Sequence, residues 1–69
     1  GDLPLAITYF EASARLGRTG DHATLARLYL LEHRWAECVT SARAYLLNHP
    51  RGPQSAKVRG YMARCEAGR

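Results

Sequence analysis

Long apolar runs are absent from this sequence. The longest stretch of aliphatic and aromatic residues spans residues 28–31, whereas a helix that crosses a bilayer needs about 20 such residues. The first residues also lack the basic and then apolar pattern of a secretory signal. We therefore expect no membrane among the partners. The chain has 69 residues, and since a typical domain has about 100 to 150, a self-contained enzyme of ordinary design is excluded.

Glycine and proline are too few for a repetitive or disordered chain. Six glycines and three prolines exclude collagen-like and low-complexity sequence. With 46% hydrophobic and 23% charged residues, the composition is that of a globular protein. We expect the chain to fold.

Lysine occurs once, at Lys57, and nine arginines supply the rest of the positive charge. Ten basic against six acidic residues give a formal net charge of +4. Such a balance is compatible with an acidic protein partner, an anionic surface or nucleic acid. The excess is spread along the chain, and a codon bias toward arginine explains it more simply than selection for anion binding. Charge alone assigns no partner.

Catalytic and metal-binding motifs are missing. The sequence has no Gly-x-Ser-x-Gly, no P-loop and no suitable pair of carboxylates, so we expect neither catalytic residues nor a cofactor. His22, His33 and His49 occur with Cys38 and Cys65, but without the spacing of a metal site. Both cysteines fall on apolar faces of predicted helices and are interpreted as small buried side chains. Neither a disulfide nor a redox compartment follows from the sequence.

The apolar residues recur at helical rather than alternating spacing, which predicts an all-α chain of four helices without a strand. The predicted helices span about residues 4–16, 21–33 and 34–48, and a fourth begins at 53 or 55. Pro4 suits a first helical turn, Gly17 suits a left-handed helix end, the carboxylate of Asp21 suits an N-cap, and Pro50 ends the third helix.

The helix faces predict where the core lies. In the first helix we expect the large side chains of the core to be Leu5, Ile7, Tyr9, Phe10 and Leu16. The third helix carries one apolar stripe formed by Trp35, Cys38, Val39, Ala42, Tyr45 and Leu46. Most aromatic residues lie on such stripes and are interpreted as packing residues rather than as a surface for stacking bases. In the fourth helix one face has Val58, Tyr61, Met62 and Cys65, and another has small residues, Ala56, Gly60, Ala63 and Ala67. Two different neighbours could therefore approach this helix.

The helices also repeat in alternation. An offset of 32 residues aligns the first helix with the third, and an offset of 37 aligns residues 25–28 with residues 62–65. Because the connections are short, consecutive helices should pack as antiparallel hairpins. Two helix types in alternation predict a solenoid.

The middle of the chain resembles the tetratricopeptide repeat, whose pattern is W-x2-L-G-x2-Y, then A-x3-F, then P. Leu25-Ala26-x2-Tyr29 stands where L-G-x2-Y belongs, Cys38-x3-Ala42 where A-x3-F belongs, and Pro50 closes the unit. His22 replaces the tryptophan. Ala6-x3-Phe10 matches the second-helix part of another repeat.

This resemblance implies a right-handed solenoid of stacked hairpins. Residues 1–18 would be the second helix of a partial repeat, residues 19–52 a complete repeat, and residues 53–69 the first helix of a further partial repeat. We expect either a piece of a longer repeat array or a short chain that covers its end helices by self-association. The turn at residues 50–53 is longer than the pattern requires, which leaves the register of the fourth helix open.

In the family that the chain resembles, the first helix of each pair lines a concave groove that binds a partner. By that resemblance the groove residues are Ala23, Thr24, Arg27, Leu30, Leu31 and Arg64. The two arginines would hold carboxylates of a peptide or protein, and the leucines would offer apolar area. Alternatively, the arginines are merely solvated and the leucines serve a buried helix. The expected function is a non-catalytic protein-binding scaffold; the alternatives are a module for homo-oligomerisation through its end helices and an RNA-binding helical repeat.

Overall fold

Four α-helices joined by short turns account for the chain in the computed structural model, which describes residues 2–68. They are α1 (Leu3–Arg15), α2 (Asp21–Leu31), α3 (Trp35–Asn48) and α4 (Ser55–Gly68). No strand occurs within residues 2–68, so the predicted all-α class is confirmed. None of these four helices is both long enough and apolar enough to cross a membrane.

The end of α1 follows the predicted signal. Gly17 has a φ of 100°, a left-handed conformation that glycine adopts without steric cost. The N–H of Gly17 donates to the carbonyl of Ala14 at 3.1 Å, and the N–H of Arg18 donates to that of Ser13 at 3.3 Å. This pair of hydrogen bonds is a Schellman motif, which satisfies carbonyls that the helix end would leave free. Pro4 lies in the first turn, as predicted.

The ends of α2 differ from the prediction in one respect. Asp21 is the first residue of the helix, Gly20 is the N-cap, and no side chain caps the helix, so the predicted N-cap role of Asp21 is wrong. Its carboxylate still lies in the first turn, where the helix dipole favours a negative charge. At the other end His33 takes a φ of 58°, and the N–H of Arg34 donates to the carbonyl of Tyr29 at 2.9 Å. His33 thus ends α2 as Gly17 ends α1.

The core is centred on α2. This helix contacts α1, α3 and α4, whereas α1 contacts only α2 among the described helices. One apolar cluster contains Ile7, Leu25, Leu28, Tyr29, Cys38, Val39 and Cys65. A second cluster contains Ala23, Ala26, Ala42, Tyr45 and Val58. Ala26 and Ala42 are fully buried in it, so α2 and α3 approach each other closely where their side chains are small.

Only one face of α1 is buried. Ile7 is 2% exposed, but Leu5 is 70%, Tyr9 62% and Leu16 85% exposed. We expected all of these residues to supply core bulk, and for the last three that expectation is wrong. A helix with a single neighbour buries a single face, and Leu5, Tyr9 and Leu16 lie on the opposite one.

The turn between α3 and α4 is held by its own hydrogen bonds. The backbone N–H of Gln54 donates to the hydroxyl of Tyr45 at 3.1 Å, and the hydroxyl of Ser55 donates to the carbonyl of His49 at 2.6 Å. Gly52 leaves room for this arrangement, because a Cβ atom there would lie 2.7 Å from the Tyr45 oxygen. These contacts fix the start and the register of α4.

A disulfide joins Cys38 of α3 to Cys65 of α4, with their Cα atoms 6.2 Å apart. Both residues are fully buried. The sequence predicted their burial and left the bond undecided.

Candidate functional site

Two cavities lie side by side between α2 and α4, and both are lined by Arg27 and Tyr61. The polar cavity, of about 350 Å³, is lined by Gly20, Ala23, Thr24, Arg27, Gln54, Lys57 and Tyr61. The apolar cavity, of about 400 Å³, is lined by Arg27, Leu30, Leu31, His33, Trp35, Tyr61 and Arg64. Together they form what we call the α2–α4 cleft.

Helical spacing places the lining side chains on facing surfaces. On α2 they recur at steps of three and four residues from Ala23 through Arg27 to Leu31. On α4, Lys57 and Arg64 are seven residues apart, with Tyr61 between them. Residues at these intervals share one face of a helix. Each helix therefore contributes one continuous strip of side chains to the cleft.

All six residues that the resemblance implies line this cleft. Ala23 is 7% exposed and forms part of its floor, while Thr24 and Leu30 are half-buried. Arg27, Leu31 and Arg64 are exposed at the cleft. The structure thus brings the set together, with α2 supplying five residues and α4 supplying Arg64.

The cleft is positively charged. Arg27, Lys57 and Arg64 line it, and no aspartate or glutamate of residues 2–68 does. The ion pairs found within residues 2–68 involve other residues: Arg34 with Glu37, and Arg43 with Glu66. The three cations of the cleft are therefore not neutralised by carboxylates of the described chain, and they favour an anionic ligand.

Sequence reasoning missed six lining residues: Gln54, Lys57, Tyr61, Gly20, His33 and Trp35. The first three depend on the register of α4, which the long turn left open. Once α4 begins at Ser55, the seven-residue interval from Lys57 to Arg64 would have found that face. Gly20 is the N-cap of α2. His33 lies in the turn after α2 and Trp35 begins α3, and the tight shape of that turn was not predicted from the sequence.

Trp35 ties the apolar cavity to the end of α4. Its indole stacks on the His33 ring, with the ring centroids 4.9 Å apart. A Cβ atom added to Gly68 would lie 2.9 Å from Cε2 of Trp35, so the last turn of α4 lies directly against the indole. The chain has one tryptophan, and that residue is a contact between α3 and α4.

On the other side of α2 a groove of about 370 Å³ is lined by residues of α1, α2 and α3: Glu11, Ala14, Arg15, His22, Leu25, Tyr29 and Ser41. The Tyr29 hydroxyl donates a hydrogen bond to the Glu11 carboxylate, and the Arg34 guanidinium lies 4.8 Å from the centroid of the Tyr29 ring. Burial, and next the bond to Glu11, raises the pKa of Tyr29 above its ordinary value. The polar groups that meet at Tyr29 bind one another, which indicates a structural role.

The histidines and cysteines are not assembled into a metal site. Within residues 2–68 no three His, Cys, Asp or Glu side chains come close enough to hold an ion. Both cysteine sulfurs belong to the disulfide, which leaves them without the thiolate that a metal needs.

No family model, no curated protein and no solved structure matches the chain.

Proposed function

We propose that this chain is a segment of a tetratricopeptide-like helical solenoid that binds an acidic segment of a partner protein in the α2–α4 cleft. The observation that carries the proposal is the charge of the cleft: three cations line it without a carboxylate among the lining residues. The solenoid part is supported by the contact of α2 with α4 in addition to the contacts between consecutive helices. That contact is the one expected where helices of one type stack.

The two cavities favour a ligand with two kinds of side chain. A carboxylate in the polar cavity lies within reach of Arg27 and Lys57, whose hydrogen bonds to it are charge-assisted. An adjoining bulky apolar side chain fits the apolar cavity, where Leu30, Leu31 and Trp35 offer apolar surface. Arg64, at the far end, takes a second carboxylate. The preferred segment is thus acidic residues around one apolar anchor.

The charges and the anchor contribute differently to binding. Arg27 and Arg64 are exposed, so each ion pair with a ligand is screened and worth at most about 1 kcal/mol. The charges chiefly accelerate encounter and select acidic ligands. The apolar anchor supplies the area-dependent part of the binding free energy. Affinity should therefore fall with salt but not vanish.

The test is a fluorescence titration with a labelled peptide of glutamates flanking one leucine. We expect Arg27→Glu with Arg64→Glu to weaken binding by about tenfold or more. The matched control is Arg18→Glu with Arg51→Glu, because both residues are exposed, lie outside the cleft, and change the net charge by the same amount. Equal losses in the two double variants would show that net charge, and not the cleft, binds the peptide.

A single-stranded RNA oligomer is titrated in parallel. Binding of RNA would fall steeply with salt, because each phosphate contact releases counterions. If RNA bound more tightly than the peptide and the cleft variants abolished that binding, the protein-binding proposal would be wrong.

The outer face of α1 favours a second function, self-association. Leu5, Tyr9 and Leu16 are more than half exposed there, and exposed apolar faces of this kind mark interaction surfaces. Sedimentation of the chain at micromolar concentration should then show a mass that rises with concentration. The double variant Leu5→Lys with Leu16→Lys should be a monomer. If the chain without these substitutions is already a monomer, this function is contradicted.

A further inference from the structure

The disulfide lies behind the cleft and fastens one of its walls. Cys38 belongs to α3 and Cys65 to α4, and both pack in the apolar cluster that includes Leu28 of α2. Cys65 directly follows Arg64 of the cleft. The bond therefore fixes the part of α4 that carries the far end of the α2–α4 cleft.

Without that bond the second half of α4 is held by half-buried Tyr61 and Met62 and by the contact of Gly68 with Trp35, beside Cys65 itself. The hydrogen bonds of Gln54 and Ser55 hold only the start of the helix. Ser55, Val58 and Cys65 are its buried side chains, so Cys65 is the one fully enclosed anchor of the later turns. Gly60 lowers the helix propensity near the middle of α4. The face opposite the core is exposed and consists of small residues, Ala56, Gly60, Ala63 and Ala67.

We propose that the Cys38–Cys65 disulfide is a redox latch for the α2–α4 cleft. When the bond is closed, α4 holds Tyr61 and Arg64 opposite Arg27. When it is reduced, the later turns of α4 detach and the apolar cavity loses a wall. This regulation rests on the function proposed above, because the cleft it controls is the peptide site.

The reductant is a dithiol, either a small molecule or a protein. One of its thiolates attacks a sulfur of the Cys38–Cys65 bond, forms a mixed disulfide with that cysteine and expels the other cysteine as a thiolate. The second thiol of the reductant then displaces the first cysteine. The reductant leaves as a disulfide, having given two electrons, and two protons complete the thiols of Cys38 and Cys65. Since both residues are fully buried, attack requires α4 to open, so the closed latch resists brief reduction.

Reduction should leave the rest of the fold in place. Free cysteine behaves as a small hydrophobic side chain, so Cys38 and Cys65 can stay packed in the first apolar cluster, and the second cluster, with Ala26 of α2 and Ala42 of α3, contains neither cysteine. What is lost is a covalent restraint across 27 residues of sequence. The loss falls on the later turns of α4, where Cys65 is the one fully buried side chain.

Trp35 provides a readout that does not depend on a ligand. Its indole lies against Gly68, so release of α4 exposes it to water. We expect dithiothreitol to shift Trp35 emission to longer wavelength, to increase its quenching by acrylamide, and to weaken binding of the glutamate–leucine peptide by about tenfold. Cys38→Ser with Cys65→Ser should resemble the reduced chain and should not respond to dithiothreitol. Mass spectrometry after thiol alkylation verifies that reduction is complete.

Each outcome separates the latch from the function it regulates. If the fully reduced chain binds the peptide as tightly as the oxidised chain, with unchanged Trp35 emission, the latch is refuted and the cleft function stands. If the oxidised chain does not bind the peptide, the proposed function fails and its regulation fails with it. If reduction abolishes the far-UV helix signal of the whole chain, the bond is a staple of the entire fold, which also refutes a latch confined to α4.

Discussion

Helices α2 and α4 carry the same local pattern in different surroundings. At an offset of 37 residues, Leu25-Ala26-Arg27-Leu28 aligns with Met62-Ala63-Arg64-Cys65. α2 is covered by α1, α3 and α4, whereas α4 is covered by α2 and α3. As a result Ala26 is fully buried and Ala63 is exposed. Arg27 and Arg64 nevertheless face the same cleft. The shared sequence pattern determines which residues lie on the same face of each helix, and the neighbouring helices determine which of those faces are buried.

The largest difference is expected for the bulky residues. Leu25 is 3% exposed, and Leu25→Ala should lower the free energy of unfolding by about 2 to 5 kcal/mol, because it leaves a cavity in the core. The aligned Met62 is half-buried, and Met62→Ala should cost about 2 kcal/mol at most. Urea denaturation followed by circular dichroism measures both. Equal losses would mean that α4 is as firmly packed as α2.

The small residues should differ less but in the same direction. Ala26→Leu should cost about 1 to 3 kcal/mol, because the added carbons overpack the contact between α2 and α3. Ala63→Leu is the matched substitution on the exposed face of α4, and its effect should stay within about 0.5 kcal/mol. Thermal melts of the two variants provide the comparison. A loss on Ala63→Leu as large as on Ala26→Leu would contradict the exposure of that face.

The third pair of aligned positions should differ in the sign of the effect. A Cβ atom on Gly60 would meet nothing within 4 Å, so Gly60→Ala should stabilise the chain by about 0.5 to 1 kcal/mol through helix propensity alone. The reverse substitution at the aligned position, Ala23→Gly, should destabilise it by about 1 kcal/mol or more, since Ala23 also loses buried contact. Chemical denaturation of both variants checks the signs. Destabilisation by Gly60→Ala would show that the outer face of α4 is covered.

Much of the secondary structure could be predicted from the sequence. Pro4, Gly17 and Pro50 act through backbone geometry, which is local and needs no knowledge of neighbours. The predicted N-cap role of Asp21 was wrong because an N-cap residue lies just outside the helix. The helix begins at Asp21 itself, one residue earlier than that role requires. The predicted burial of Leu5 and Leu16 was wrong because periodicity identifies apolar faces but does not show how many of them pack against another helix.

The candidate site could be predicted mainly on its α2 side, with Arg64 as the single residue named on α4. Arg27 and Leu31 were implied by the resemblance to the tetratricopeptide repeat, in which the first helix of each pair lines the groove. Lys57 and Tyr61 require the register of α4, which is set by hydrogen bonds of Tyr45 and Ser55 across the turn. The disulfide required the distance between α3 and α4, and two cysteines separated by 27 residues carry no information on that distance.

The connection between α2 and α3 needs only residues 32–34, because His33 takes a positive φ of 58°. In that conformation a residue with a Cβ atom is held at a small energetic cost, and a β-branched residue would be excluded. Because the His33 ring stacks on Trp35, this backbone torsion also affects the position of the indole that lines the apolar cavity. The shape of the apolar cavity at this end of the cleft therefore depends on one backbone torsion that lies outside every helix.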